Sequence, residues 1–388
     1  MLIQMDMTSL IAEIAKFREE LHQIPETSGE EVKTCETIRR ELAKIPGVRV
    51  LPPFLKTDTV AFIDGAAPGK NVTLRADIDA LALTEETGVE YASRTPGRMH
   101  ACGHDVHSAI LLGAAKILAE KRHEFNGSIR LVFQPGEEGT AMARDLIAAG
   151  ALLEPRPDFV AALHVEPGLP VGTIGLREGC MASSCLHYKV TFSGKGGHGS
   201  LPHLSRNPIL AAAAAIGELQ YVVTNRIDVQ KPVVLSICNI LGGHADNVIP
   251  EECSFGGTLR SLDNESADEL YKAVQEICQA VAVAHRVTCD ISVCGDYPAV
   301  INPASGVTQA VKAAGRAGLT VKMLEASAMS SEDFSCFLSD APDGVFVRLG
   351  AGEDLPPLHN VKFLPPATVL QPGIEYLVST ALTVLEQN

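Results

Sequence analysis

The 388-residue chain contains no basic tract, and its formal net charge at pH 7 is -15. Phosphate binding relies on clustered Lys and Arg, so no nucleic-acid partner is expected. No apolar run approaches the roughly 20 residues of a membrane-spanning helix. The longest, such as 110–115 and 210–216, are much shorter, so no membrane partner is expected either. Residues 1–16 mix polar and apolar side chains, with acids at Asp6 and Glu13. They lack the basic start and apolar centre of a secretory signal. The ten cysteines are scattered, without the spacing of a small disulfide framework. This favours reduced thiols and a cytoplasmic location. There is no internal repeat, and the glycine-rich stretch near residue 196 lacks P-loop or dinucleotide spacing.

Hydrophobic residues make up 46% of the chain and charged residues 20%, as in a soluble globular protein. The length exceeds one ordinary core, so two domains are expected. Helical periodicity over 9–21, with Ser9 as cap, and over 30–43 precedes a strand at 71–77. A helix at 107–120, a strand at 128–133, a helix at 141–149 and a strand at 159–164 follow. Such alternation predicts an α/β fold, with a mostly parallel sheet flanked by helices. From about Ser183 the pattern changes to alternating, half-exposed strands and two helices, 207–223 and 265–285, capped by Asn207 and by Asp263 or Asn264. The order β-α-β-β-α-β predicts an inserted ferredoxin-like α+β domain over 183–294. Residues 1–182 and 295–388 are then two parts of one catalytic domain, the second carrying a helix at 304–317 and a strand at 344–349.

The segment Met99-His100-Ala101-Cys102-Gly103-His104-Asp105-Val106-His107 places a thiol and three imidazoles beside an acid able to orient one of them. Cys102 and His104 fall on a glycine-containing loop, where alternate residues can face one centre. Gln134-Pro135-Gly136-Glu137-Glu138 closes the strand-like run 129–133. His164 ends another apolar run, and His359 sits in a proline-flanked loop. Asp77 and Asp79, the glutamate pair and His164 all fall at carboxyl ends of predicted strands, the edge where open α/β sheets bind ligands. Cys102, His104, Glu138, His164 and His359 can together supply two divalent metals and a bridging group. Two such ions about 3.5–4 Å apart can polarise a carbonyl and activate water. Glu137 is then the general base that passes the proton to a leaving amine. In the inserted domain, Gly196 and Gly197 let His198 approach a substrate oxygen as an oxyanion-stabilising donor. Asn247 and Arg260 are candidates for contacting a substrate carboxylate.

Taken together, these motifs resemble the zinc-peptidase superfamily of aminoacylases, glutamate carboxypeptidases and succinyl-diaminopimelate desuccinylases. The closest resemblance is to its amidohydrolase branch of hippurate hydrolases, N-acetyl-diaminopimelate deacetylases and auxin–amino-acid conjugate hydrolases. The matching segments run from Leu21-His22 through Arg75-Ala76-Asp77-Ile78-Asp79-Ala80 and residues 99–107 to Ser331-Glu332-Asp333-Phe334 and His359. The resemblance implies a di-metal catalytic domain and a smaller domain that acts as a lid or forms a homodimer. It also implies that Cys102 bridges the metals and that Asp79 orients a ligand from behind. His198 matches a lid histidine that reaches the partner subunit's site in dimeric relatives. Asp77 stands where relatives outside the branch carry a histidine, so metal binding is not extended to it. The turn at Ala82 departs from the branch, which usually has proline there. The implied activity is hydrolysis of an N-acyl amino acid to a carboxylic acid and a free amino acid. A metallo-dipeptidase or carboxypeptidase, or a non-catalytic metal-binding protein on the same fold, are the alternatives. Thiolate and imidazole suit zinc, while the carboxylates also accommodate manganese or cobalt.

Overall fold

The structure, a computed structural model, describes residues 6–386. Residues 1–5, on which the reading of the N-terminus partly rests, lie outside the described residues. The chain divides into two compact units: Met1–Met181, Ile301–Ala326 and Asp333–Asn388 form one, Ala182–Val300 and Ser327–Glu332 the other.

The first unit is built on an eight-stranded sheet. Its order is Val48–Val50, Thr59–Asp64, Ser128–Gln134, Asn71–Asp77, Phe159–Pro167, Gly344–Gly352, Thr173–Leu176 and Thr320–Met323. The four strands from Ser128–Gln134 to Gly344–Gly352 run parallel, and so do the last two. The Asn71–Asp77 strand has parallel neighbours on both sides and is buried along its whole length. Successive side chains of a strand point to opposite faces. Val72, Leu74 and Ala76 therefore join Ile129, Leu131 and Phe133 in the main apolar cluster. The helices Met7–His22, His104–Glu120 and Leu370–Leu385 contribute Leu10 and Ile14, Ile110 and Leu111, and Ile374 and Leu377 to that cluster. The intervening residues Arg75 and Asp77, with Arg130 and Gln134 next door, form a buried polar row on the other face. That row ends at the carboxyl edge of the sheet.

The second unit has the order Cys185–Ser193, Pro208–Asn225, Val233–Gly242, Glu252–Ser261, Asn264–His285, Thr288–Tyr297, with two short strands between. Its four long strands pair antiparallel, with Glu252–Ser261 and Cys185–Ser193 in the middle. The β-α-β-β-α-β order and this sheet order together are the ferredoxin-like arrangement. Tyr188, Val190 and Phe192 face the two helices, as their alternation predicts. Asn207 Oδ1 accepts the Ile209 N–H at 3.0 Å, with Pro208 in the first turn. Asp263 caps the second helix through the Ser266 N–H at 2.8 Å, while Asn264 Oδ1 accepts the Ala299 N–H instead.

Two local expectations are corrected. The first helix starts at Met7 and is capped by Asp6, whose Oδ1 accepts the Thr8 N–H at 3.1 Å, so Ser9 lies inside it. The helix expected from His107 begins one turn earlier, at His104. Among the described residues, no helix is long and apolar enough to cross a membrane.

Candidate metal centre

Four segments of the first unit deliver the candidate donors. Gly103 has φ +85, and a Cβ there would lie 2.5 Å from Val165 Cγ2. Only glycine accommodates both constraints. The chain therefore turns sharply between Cys102 and His104, and His104 opens a helix rather than continuing an extended loop. Glu137 and Glu138 follow the Ser128–Gln134 strand, and His164 lies in the Phe159–Pro167 strand, on the other side of Asn71–Asp77 in the parallel group. His359 adopts φ +64, unusual for a residue with a Cβ, and its N–H donates to the Ala101 carbonyl at 2.9 Å. That bond ties the His359 loop to the residue preceding Cys102.

Donor atoms of Cys102, His104 and His164 lie within 4.8 Å of one another, and so do those of Cys102, Glu138 and His359. Cys102 belongs to both groups. Its Sγ is 3.3 Å from His164 Nε2, and Glu138 Oε1 is 3.1 Å from His359 Nε2 and 3.8 Å from His104 Nε2. His164 Nδ1–H donates to the Val165 carbonyl at 2.7 Å, which leaves Nε2 as the lone-pair nitrogen facing the thiol. His104 Nδ1 is engaged by Asp79 Oδ1 at 3.2 Å, and its buried Nε2 has no hydrogen-bond partner among the described residues. An orphaned buried imidazole nitrogen beside a thiol and carboxylates is a donor set that fits a soft or borderline divalent cation.

The carboxylates around Cys102 and His104 favour positive charge in the site, either as protons on these donors or as a divalent cation that displaces them. Burial pushes the Cys102 thiol well above its usual pKa, and the charges of Glu138 and Glu137 add to the effect. Burial also opposes charge on His104, but Asp77, Asp79 and Glu138 outweigh it and raise the imidazole to about 10. Burial depresses the His164 imidazole well below its usual value. Asp79 is lowered against its burial by His104, Ser28 and the Glu138 N–H.

The acid next to His104 does not orient an imidazole of this cluster, contrary to the expectation from its position. Asp105 Oδ2 lies 2.6 Å from Arg18 Nε and 2.8 Å from His22 Nδ1. Asp79 and Asp77 do the orienting instead. Asp79 Oδ2 accepts the Glu138 N–H at 2.9 Å and the Ser28 hydroxyl at 2.6 Å. Asp77 is held by Arg75 and by His107, whose role the sequence reading missed. Arg75 also bonds Gln134 and Asp333, a contact across 258 residues that no local pattern signals.

The remaining candidates lie in the second unit. The Val248–Ile249 strand pairs with Gly197–His198, bringing Asn247 next to the exposed His198 turn. His198 Nδ1 accepts the Ser200 N–H at 3.2 Å, so Nε2 carries the proton and can act only as a donor. A Cβ at Gly197 would lie 2.3 Å from Ser205 Oγ, so a larger residue there would have to turn the Ser205 side chain aside. Arg260 is on the Glu252–Ser261 strand, where it donates to the Ser331 hydroxyl; it is not brought to His198 and Asn247 by strand pairing.

Comparison with known proteins places these features in a family. Residues 73–383 match the model of peptidase family M20/M25/M40. An N-acetylcysteine deacetylase of Bacillus subtilis (strain 168) is 35% identical over 374 residues, 96% of this chain and 97% of the relative. An N-acetyldiaminopimelate deacetylase of Geobacillus sp. (strain WCH70) is 33% identical over 373 residues, 96% and 98% of the two chains. The crystal structure of the YXEP protein of Bacillus subtilis, described as a dinuclear metal-binding peptidase from the M20 family, superposes with a TM-score of 0.83. The two are 31% identical, and the match covers 98% of this chain and 100% of that one. The chain belongs to peptidase family M20/M25/M40.

Proposed function

We propose that the protein is a metal-dependent amidohydrolase that cleaves N-acyl amino acids into a carboxylic acid and a free amino acid. The observation that carries this reading is the membership of Cys102 in both donor groups, one with His104 and His164, the other with Glu138 and His359. Cys102, His104, Glu138, His164 and His359 would together hold two divalent ions. When bound, the ions supply Lewis acidity toward the scissile carbonyl and toward a water molecule. Zinc suits the thiolate and imidazoles best, and manganese or cobalt is compatible with the carboxylates.

Glu137 is the spare carboxylate. It shares a donor group with His104 and Glu138, and as general base it takes the water's proton and returns it to the leaving amine. Asp79 keeps His104 Nε2 and the Glu138 backbone in place from behind the site. His198, with Nε2–H as its only free ring function, donates to the developing oxyanion, and does so from the partner subunit of a homodimer formed through the Ala182–Val300 unit. Asn247 and Arg260 contact the substrate carboxylate. The deacetylase relatives support the acyl-amino-acid class. The ten cysteines, all free, support a reducing cytoplasmic location.

The test is turnover on a panel of N-acyl amino acids and dipeptides, with the metals removed by chelator and then restored. Hydrolysis of N-acetyl amino acids that vanishes with chelator and returns with zinc or manganese is expected. Turnover of dipeptides alone, or activity indifferent to chelator, contradicts the reading.

A further inference from the structure

His107 belongs to none of the donor groups just described. It is buried, with its ring 4.6 Å from that of His164 and 5.4 Å from that of His104. With Asp77 and His104 it forms another cluster within 4.8 Å that could be read as an additional metal site. The hydrogen bonds argue otherwise. The Val165 backbone N–H donates to His107 Nε2 at 2.9 Å, which makes Nε2 an acceptor. Nδ1 then carries the ring proton and donates to Asp77 Oδ1 at 2.6 Å. Asp77 Oδ2 accepts from Arg75 Nη1 at 2.7 Å. Both ring nitrogens and both carboxylate oxygens are therefore engaged, and no lone pair of His107 is left for a cation.

We infer that His107 is a positioning residue, a neutral Nδ1–H imidazole that clamps the Val165 peptide and thereby aims His164 at Cys102. Val165 is the point where this matters. Its carbonyl accepts the His164 Nδ1–H, and its N–H is held by His107. The same residue thus fixes the His164 ring and is itself anchored to the helix that begins at His104. His107 lies one helical turn after His104, so the clamp ties the two histidine-bearing elements together. Asp77 and Arg75 complete the chain by holding the His107 ring in one tautomer. The inference rests on the proposal that His164 binds metal.

Substitutions at His107 separate positioning from bulk structure. His107→Leu fills similar space but cannot accept the Val165 N–H. His107→Gln retains an acceptor of comparable reach. Metal affinity, measured by chelator competition on the purified full chain, is expected to fall about 10–100-fold in His107→Leu, the usual cost of losing support behind a metal ligand. It is expected to be partly rescued in His107→Gln, while the metal-free melting temperature of the two variants is similar. If His107→Leu fails to fold, His107→Asn, which reaches Asp77 but not Val165, should show the same loss of affinity. A second readout needs no metal: nitrogen-15 imidazole spectra of the metal-free protein should contain buried Nδ1–H tautomers from both His107 and His164, and the His107 signal should be the one lost in His107→Gln. Undiminished metal affinity in His107→Leu or His107→Asn, equal losses in His107→Leu and His107→Gln, or an Nε2–H tautomer at His107 would overturn the inference. A wild-type chain that binds no metal would instead refute the proposed site itself.

Discussion

Asp79 Oδ1 lies 3.2 Å from His104 Nδ1, and this contact turns His104 Nε2 toward Glu138. The other oxygen of Asp79 accepts the Glu138 N–H, so one buried carboxylate aligns two proposed donors. Asp79→Asn should therefore weaken metal binding by about 10–100-fold. Ser28→Ala, which removes only the hydroxyl contact to Asp79, should have a smaller effect. Equal metal affinity in Asp79→Asn and wild type would show that the two donors do not depend on this anchor.

The two adjacent glutamates should separate cleanly. Glu137→Gln is expected to keep the fold and most of the metal yet lose turnover by about 10²–10⁴-fold, the usual weight of a general base. Glu138→Gln should instead lose metal. Interchanged behaviour of the two variants would reverse the roles assigned to them.

His198 offers a test that needs no structure of the assembled protein. His198→Ala should lower turnover by about 10²–10³-fold with metal content intact, as expected for one oxyanion donor. If the histidine acts in the partner's site, mixing His198→Ala with Glu137→Gln chains should restore activity, because a mixed dimer contains one complete site. Failure of the mixture to gain activity, in chains proven to exchange, argues for action within one chain.

The pair His22 and Asp105 sets a pH dependence of stability. Burial opposes charge on His22, but Asp105 at 2.8 Å and Glu85 at 3.2 Å outweigh it and raise the imidazole from 6.5 to about 9. A group raised on folding contributes stability that is fully present below its unfolded value and is lost as pH rises through its folded value. The window therefore runs from pH 6.5 to about 9. Thermal unfolding of the chelator-stripped protein should lose on the order of 1–3 kcal/mol across that window. His22→Gln should be flatter over the same range. Parallel curves for variant and wild type would mean that His22 carries no such charge.

Much of the architecture was legible because local signals agreed with the fold. The Asn71–Asp77 strand, the Asn207 cap and the alternation of Tyr188, Val190 and Phe192 each follow from period or capping chemistry. Less legible were features set by backbone conformation or by distant partners. The early start of the helix at His104 depends on the left-handed Gly103, and that glycine is required by Val165, far along the chain. Asp105 was misread because its partners, Arg18 and His22, lie 87 and 83 residues away. The role of His107 was not legible because one of its two bonds is to a backbone N–H, which has no side-chain signature.

The central claim, that Cys102 is shared by two metal ions at a hydrolytic centre, is tested most directly by the metal content of the wild type and Cys102→Ala, purified without chelator, with turnover on N-acetyl amino acids measured on the same samples. Two divalent ions per chain in the wild type, and loss of metal and turnover together in Cys102→Ala, are expected. Full metal occupancy with normal turnover in Cys102→Ala would contradict it.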